Sequence, residues 1–532
     1  MKKVHLLLLS MLSGLLLAAA WPMHGFAPLI FVALVPLFFV QQYLGDTGKK
    51  GMFGYAWLAF LVWNALTTWW IWNATPSGAV VALIMSSLFL AVVFQVFHLS
   101  KKWLFNNTQG FFILIFYWLS WEYFNMNWDL SWPWLTLGNV FASKHLWIQW
   151  YEYTGMLGGS LWILSANILA FKIIQNYLSK QNRLVYIYTV LMVLFIVAPV
   201  ILSLNIYHHY KETKNPVNVV VVQPNTDPYT EEYTLPAAEI IQRNLNLAKQ
   251  KVNDSTDYVV FPESTIQEGI WEGSMDRSQS IKTLRSYVME HPNLCMVVGA
   301  STFRWLKPDE KLTNAARFYK KGLYYYAYNT AFFIDHSPYI QVHHKSKLVP
   351  GVEEMPSWPI LGPLEHFAIN LGGVVGTLKE DDHISLFTND STGDKIAPMI
   401  CYESIYGDYV RQYIDQGAEL IFVITNDGWW GNTPGYKQHF SFAILRAIET
   451  RRDVAQSATT GFSGFVNQRG DVLQRSNYKA PAVLSQTMNL NDNLTYYVRN
   501  GDFLAHISGF FSILILLASM VQGILKKRKL PH

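Results

Sequence analysis

Cysteine and charge are both scarce in this chain, and each scarcity narrows what the protein can be. Two cysteines among 532 residues, Cys295 and Cys401, exclude a disulfide framework and a zinc site built from cysteine pairs. Each is read as a single thiol. Charged residues make up 15% of the chain and hydrophobic ones 51%, and the mean hydropathy is positive at +0.14. That balance is unusual for a soluble protein of this length and points to a membrane protein. The net charge of +4 is spread over many segments. With no basic stripe interleaved with aromatics, no nucleic acid is expected as a partner. Two hydrolase motifs are also missing. GFSGF at Gly461 to Phe465 fails to match G-x-S-x-G, and His343, His344 and His439 show no H-E-x-x-H or similar spacing. No metal and no cofactor is expected.

What the chain does have is apolar length. Runs of spanning length or nearly so fall at 4 to 20, 27 to 43, 53 to 73, 79 to 98, 111 to 126, 155 to 175, 184 to 204 and 504 to 525. They predict a polytopic α-helical membrane protein of about eight spans. The first run, behind Lys2 and Lys3, also reads as a signal peptide with small residues at its end, and cleavage there would leave the orientation of the rest unchanged. Basic residues recur at alternate connectors: Lys49 and Lys50, then Lys101 and Lys102, then Lys172, Lys180 and Arg183, then the tail Lys526 to Lys529. By the positive-inside rule those segments are cytoplasmic, which leaves the long polar stretch before the last run outside. The expected domains are 1–213 with seven spans, 214–492 outside the membrane, and 493–532 with the final span and basic tail.

Residues 214–492 alternate short β-rich runs (VNVVVVQPN, DYVVFPES, LCMVVGAST, YNTAFFID, KIAPMICYES, ELIFVITND) with helical stretches such as PAAEIIQRNLNLAKQKV. That pattern predicts one α/β domain large enough for its own core. Three of its strands end in chemistry. Cys401 closes the run PMIC and is followed by Tyr402 and Glu403; Glu263 follows VVFP; Lys345 follows SPYIQVHH. A nucleophilic cysteine needs its thiolate, and an apolar setting opposes ionisation unless a base and a cation stand near. Alone, each residue has a plain alternative as a core thiol, a solvated strand end or a surface lysine; Cys295 in LCMVVGA fits the core reading. The combination at three strand ends of one domain favours a shared site.

These residues resemble the nitrilase superfamily: PE at Glu263, K-x-x-L-V-P at Lys345 with Glu353 five residues past Leu348, and C-Y-E at Cys401. With the flanking spans, W-x-x-W-E at Glu122, WPWLTLG at Trp132 to Gly138, TNDGWWG at Thr425 to Gly431, and QHF with R-A-I-E at Arg446 to Glu449, the whole chain is similar to the apolipoprotein N-acyltransferases. It departs from that pattern in LVPGVEE for LVPFGE, in lacking an Arg soon after Glu122, in Thr459 and Thr460 where an Asn pair is common, and in lacking a tryptophan in QPNTDPYTEEY.

The resemblance implies an α-β-β-α nitrilase-like domain facing the periplasm of a bacterial inner membrane. It also implies catalytic residues Glu263, Lys345 and Cys401, with Glu353, Tyr402 and Glu403 in support. The implied reaction takes a fatty acyl chain from a phospholipid donor, holds it as a thioester on Cys401, and passes it to the amino terminus of a diacylated apolipoprotein. Membrane lipids are the other expected partners, and the protein is expected to be a monomer. Two alternatives stand beside this reading: a membrane-tethered amidase that uses water, and a lipid-binding or transport scaffold with an inactive domain. Seven tryptophans between Tyr117 and Tyr153 suit either an interfacial platform or an ordinary aromatic belt.

Overall fold

The computed structural model describes residues 1–23, 25–354, 377–381 and 383–528; Lys529, the last residue of the basic tail, lies outside them. The chain forms two compact units, one of residues 1–72, 79–209 and 500–532 and the other of residues 73–78 and 210–499.

The first unit is helical. Among the described residues, six of its helices are long and apolar enough to cross a membrane: Lys3–Ala20, Ala27–Thr47, Pro76–Phe105, Tyr151–Leu178, Asn182–His209 and Phe503–Lys526. The runs at 53 to 73 and 111 to 126 form shorter helices, Met52–Thr68 and Ile113–Phe124. Without water, polar groups in such a unit must find internal partners. Asn167 does this for a broken helix entry: its Oδ1 accepts from the Leu34 N–H at 2.7 Å and its Nδ2 donates to the Ile30 carbonyl at 2.8 Å. Glu122 is buried and accepts from Trp118 Nε1 at 2.9 Å and from the Leu137 N–H at 2.8 Å, so it ties WPWLTLG to its own helix. Of the seven tryptophans, Trp118, Trp134 and Trp150 are buried in this unit; an exposed platform does not describe them.

The second unit is built from two sheets. Strands β1 (Pro216–Gln223), β2 (Tyr258–Val260), β3 (Ile266–Trp271), β4 (Cys295–Trp305), β5 (Arg317–Lys320), β6 (Leu323–Ile334), β7 (Gln341–His344) and β14 (Ala482–Asn489) make the first, in the order β14-β1-β2-β4-β6-β5, with β3 beside β4 and β7 beside β6. Strands β8 (Phe387–Thr388), β9 (Lys395–Ile400), β10 (Leu420–Thr425), β11 (Val454–Ala458), β12 (Gly464–Val466) and β13 (Val472–Arg475) make the second, in reverse numerical order. Continuous apolar runs are what strands covered on both faces require, and β1, β2 and β4 are parallel, as are β9, β10 and β11.

Side chains alternate between two cores. Val219, Val221 and Val260 pack with Ile400, Phe422 and Ala455 between the sheets, whereas Val220, Val222 and Val259 pack outward against Ile241 and Leu284 of the helices Ala237–Ala248 and Gln279–Met289. The helices Gly407–Asp415 and Pro434–Thr450 pack on the second sheet. The result is the expected α-β-β-α sandwich.

The first helix is an integral part of its unit. Ser10, Ser13 and Gly14 are buried, and a Cβ on Gly14 would stand 2.3 Å from the Ala59 carbonyl oxygen of the neighbouring helix. Small residues allow that close approach. Gly14→Ala should therefore destabilise the protein by about 1–3 kcal/mol through overpacking, read as a lower thermal midpoint in detergent. Leu15→Ala, at a position that is 47% exposed, should leave it nearly unchanged.

Candidate active site

Glu263 sits just past β2. The Gly299 N–H of β4 donates to the Pro262 carbonyl at 3.2 Å, and a Cβ at position 299 would stand 2.0 Å from the Glu263 carbonyl oxygen. Only glycine permits that approach. Lys345 follows β7, its N–H bonded to the Asn329 carbonyl of β6 at 2.8 Å. Its Nζ is buried between two carboxylates, 2.8 Å from Glu353 Oε1 and 3.4 Å from Glu263 Oε1. Asn329 Nδ2 bridges the same pair, at 2.7 Å from Glu263 and 3.2 Å from Glu353.

Cys401 directly follows β9 at φ +51, in the left-handed region that a non-glycine residue enters at a cost and that recurs at functional turns. Its carbonyl is held by the Ser404 hydroxyl at 2.8 Å and by His439 Nε2 at 3.1 Å, while His439 Nδ1 lies 2.9 Å from Asp427 Oδ1. Cys295 lies in the core between the sheets.

Glu403 connects the two arms of the site. It is fully buried, and its carboxylate accepts from the Ile400 N–H and the Ser346 N–H, each at 2.7 Å, from Tyr409 Oη at 2.9 Å, and meets His343 Nε2 at 3.0 Å. Ile400 directly precedes Cys401 and Ser346 directly follows Lys345, so one carboxylate fixes the backbone beside both. Burial acts to raise this carboxyl, yet His343 and the two N–H groups hold it below the ordinary range. Tyr402 is buried with its ring edge-on to Tyr406, centroids 5.3 Å apart.

The ionisation of the central groups follows from this packing. Burial pushes the Cys401 thiol well above its ordinary value, and the Glu263 charge adds to that effect while Lys345 opposes it. The resting group is a thiol that needs a base. Burial also raises Glu263, with Lys345 opposing and Glu353 reinforcing the rise. At Lys345, burial works against the ammonium, but Glu353, Glu263 and Cys401 more than offset it and keep the cation charged.

The structure brings Glu263, Lys345 and Glu353 into direct contact, with Cys401 close enough for its thiol to feel both Glu263 and Lys345. Asn329 and Glu232 carried no signal in the sequence, whereas Asn426, Asp427 and His439 fall in the TNDGWWG and QHF stretches without their pairing being legible. Asn329 lies in an ordinary apolar strand. The His439–Asp427 pair joins the QHF and TNDGWWG stretches across 12 residues, and the pair Glu232–Asn426 joins residues 194 apart. Glu232 is fully buried, accepts from Asn426 Nδ2, and is pushed up to about 7 by burial, despite hydrogen bonds from Ser264 and Tyr233. The Asn426 N–H in turn donates to Glu263 Oε2 at 3.0 Å. Cys401, Asp427 and His439 offer ligand atoms within 4.8 Å of one another, but both ring nitrogens of His439 are already engaged in the bonds described above.

A thiol, a carboxylate and a buried lysine at the ends of strands in an α-β-β-α sandwich define a carbon-nitrogen hydrolase. The chain belongs to that family, which it matches over residues 218–493. Its membrane part matches the apolipoprotein N-acyltransferase N-terminal domain over residues 13–169. Relatives over nearly the full length include the apolipoprotein N-acyltransferases of Chlorobaculum tepidum, 29% identical over 96% of both chains, and of Geobacter metallireducens, 26% identical over 94% of this chain and 92% of the relative. Among solved structures, Saccharomyces cerevisiae Nit3, a member of the nitrilase superfamily, is similar at a TM-score of 0.38 and 14% identity, over 55% of this chain and 96% of Nit3.

If Glu263 accepts the thiol proton, the rate of acylation must rise with pH as Glu263 ionises. Because burial and the Glu353 charge raise that carboxyl, the acid limb should lie above the usual carboxylate range. Glu353→Gln removes one of the two raising influences and should move the limb to lower pH in single-turnover measurements. A limb that stays in place or moves upward would remove Glu353 from the electrostatics of the base.

Proposed function

We propose that this acyltransferase takes a fatty acyl chain from a phospholipid, holds it as a thioester on Cys401, and transfers it to the α-amino group of a diacylglyceryl-cysteine lipoprotein. The observation that carries the reading is a buried Lys345 ammonium between Glu263 and Glu353 beside a thiol at a strained strand end, in a chain whose other unit is made of apolar helices. In the first half-reaction Glu263 takes the proton from Cys401 as sulfur attacks the ester carbonyl. Lys345 and the backbone N–H of Tyr402 face the oxyanion; one such donor contributes typically about 3 kcal/mol. The lysophospholipid alkoxide leaves with the proton from Glu263. In the second half-reaction the lipoprotein amine attacks the thioester, Glu263 takes the amine proton and returns it to sulfur, and the amide departs. Glu353 orients Lys345, and Glu403 holds the backbone on either side.

One copy of the chain supplies every residue that this scheme uses. The alternating basic connectors support an orientation in which the catalytic unit works outside the cytoplasm of a bacterial inner membrane, where diacylated acceptors and phospholipids are both within reach.

Transfer and hydrolysis differ in what empties the acyl-enzyme. An α-amino group has a pKa near 8 and attacks only when neutral, so discharge by a diacylated lipopeptide should quicken between about pH 7 and 8.5. Preformed acyl-enzyme should persist in buffer alone, and acetylating the lipopeptide amino terminus should block discharge. Equal release of free fatty acid with and without lipopeptide would make water the acceptor and the protein an amidase-type hydrolase.

A further inference from the structure

Strand β4 runs parallel to β2 and passes Glu263 at Gly299. It then continues six residues to Trp305, about 20 Å at the rise of an extended chain. The strand therefore projects beyond the catalytic end of the sheet. Its partner there is the start of β6, with Trp305 opposite Tyr325, and β3 ends alongside with Trp271 opposite Phe303.

One face of this projection is aromatic. Trp271 stacks on Trp305 with centroids 4.1 Å apart, Tyr325 meets Trp271 at 5.4 Å, and Tyr319 of β5 meets Trp305 edge-on at 5.1 Å. Unlike core aromatics, these reach solvent. Trp305 is 41% exposed and Tyr319 57%, and at the hairpin tip Phe318 is 64% and Leu323 41% exposed. Scattered exposed apolar residues need no explanation, but a contiguous aromatic patch does.

The local charge is the second observation. Between 214 and 492 the chain carries 31 acidic and 25 basic residues, yet the β4–β6 connection reverses that sign. Arg304 is neutralised by Glu310, at 2.9 and 3.0 Å, which leaves Lys307, Lys311, Lys320 and Lys321 exposed against Asp309. Exposed rings beside flexible lysines suit the headgroup layer of an anionic bilayer, where rings take the interface and ammonium groups meet phosphate.

We propose that the tip of the β5–β6 hairpin and the adjoining aromatic face dock on an anionic phospholipid surface and hold the catalytic end of the sheet at the lipid from which the acyl chain is drawn. The proposal rests on the acyl-transfer reading for its purpose, but its test reads position rather than chemistry. Full-length protein carrying Cys295→Ala, Cys401→Ala and a spin label at Tyr319→Cys is reconstituted into bilayers of phosphatidylcholine with or without phosphatidylglycerol. Collision with oxygen and with a water-soluble nickel chelate reports depth. A label at Asp254→Cys, just before β2 at the opposite end of the sheet and 84% exposed at the side chain, is the reference.

In anionic bilayers the label at 319 should collide with oxygen and be protected from the chelate, while the label at 254 stays water-exposed. Replacing Lys320 and Lys321 together by serine should abolish the dependence on anionic lipid. A water-exposed label at 319 in anionic bilayers overturns the proposal. So does protection that arises only when a diacylated lipopeptide is added, which would assign the face to the acceptor. Absence of acyl transfer by the unlabelled wild type in the same bilayers, with the protection at 319 intact, would overturn the acyl-transfer reading and leave the docking standing.

Discussion

The catalytic unit is organised around one buried ammonium group. Lys345 Nζ lies between the carboxylates of Glu263 and Glu353, and a charge so buried is tolerated only when paired and hydrogen-bonded. Burying such a cluster is rarely a net gain in stability, because desolvation consumes much of the attraction between the partners. Its value lies in chemistry: two carboxylates keep the lysine charged, the lysine keeps Glu263 able to ionise, and both bear on the Cys401 thiol. The surrounding structure serves this arrangement. Gly299 lets β4 pass against Glu263, Asn329 holds both carboxylates from β6, and Glu403 fixes the backbone beside Lys345 and Cys401 together.

The sequence made the strand ends legible because the chemistry there interrupts long apolar runs. VVFPE, PMICYE and K-x-x-L-V-P mark Glu263, Cys401 and Lys345 by a change from buried strand to polar turn; the apolar strand runs marked an α/β domain, and only the family resemblance implied its sandwich architecture. The partners that complete the site were not readable, since they are set by tertiary contacts. Asn329 sits among apolar neighbours, 66 residues from Glu263, and His439 lies 38 residues from the carbonyl that it holds. Glu232 lies 194 residues from Asn426, and nothing in the polar stretch TEEYT marks it for burial. Glu403 was expected in support, but its reach to both arms depends on β7 of the first sheet and β9 of the second ending side by side, which no local pattern carries.

In the helical unit, apolar length located the long helices among the described residues but not their ends. The run at 53 to 73 stops being one helix after Thr68, and that at 111 to 126 narrows to Ile113–Phe124. Tryptophan and phenylalanine at turns are as apolar as those inside spans, so hydropathy does not mark where the chain turns. The tryptophans show the same ambiguity: composition suited an interfacial platform or an aromatic belt, whereas Trp118 and Trp134 are core residues of the unit. A soluble hydrolase of this family has water at its site as a ready second substrate. Fusion of the sandwich to apolar helices favours a lipid donor, and a thioester that must wait for an amine calls for a site poor in water.

The central claim is that Cys401, and no other residue, carries the acyl chain. Its most direct test is the mass of the intact protein after incubation with phospholipid. Wild type and Cys295→Ala should each gain one fatty acyl group, removable by neutral hydroxylamine, and Cys401→Ala should gain none. An acylated Cys401→Ala protein, or a wild type that turns over substrate without ever carrying a hydroxylamine-labile acyl group, would contradict the account.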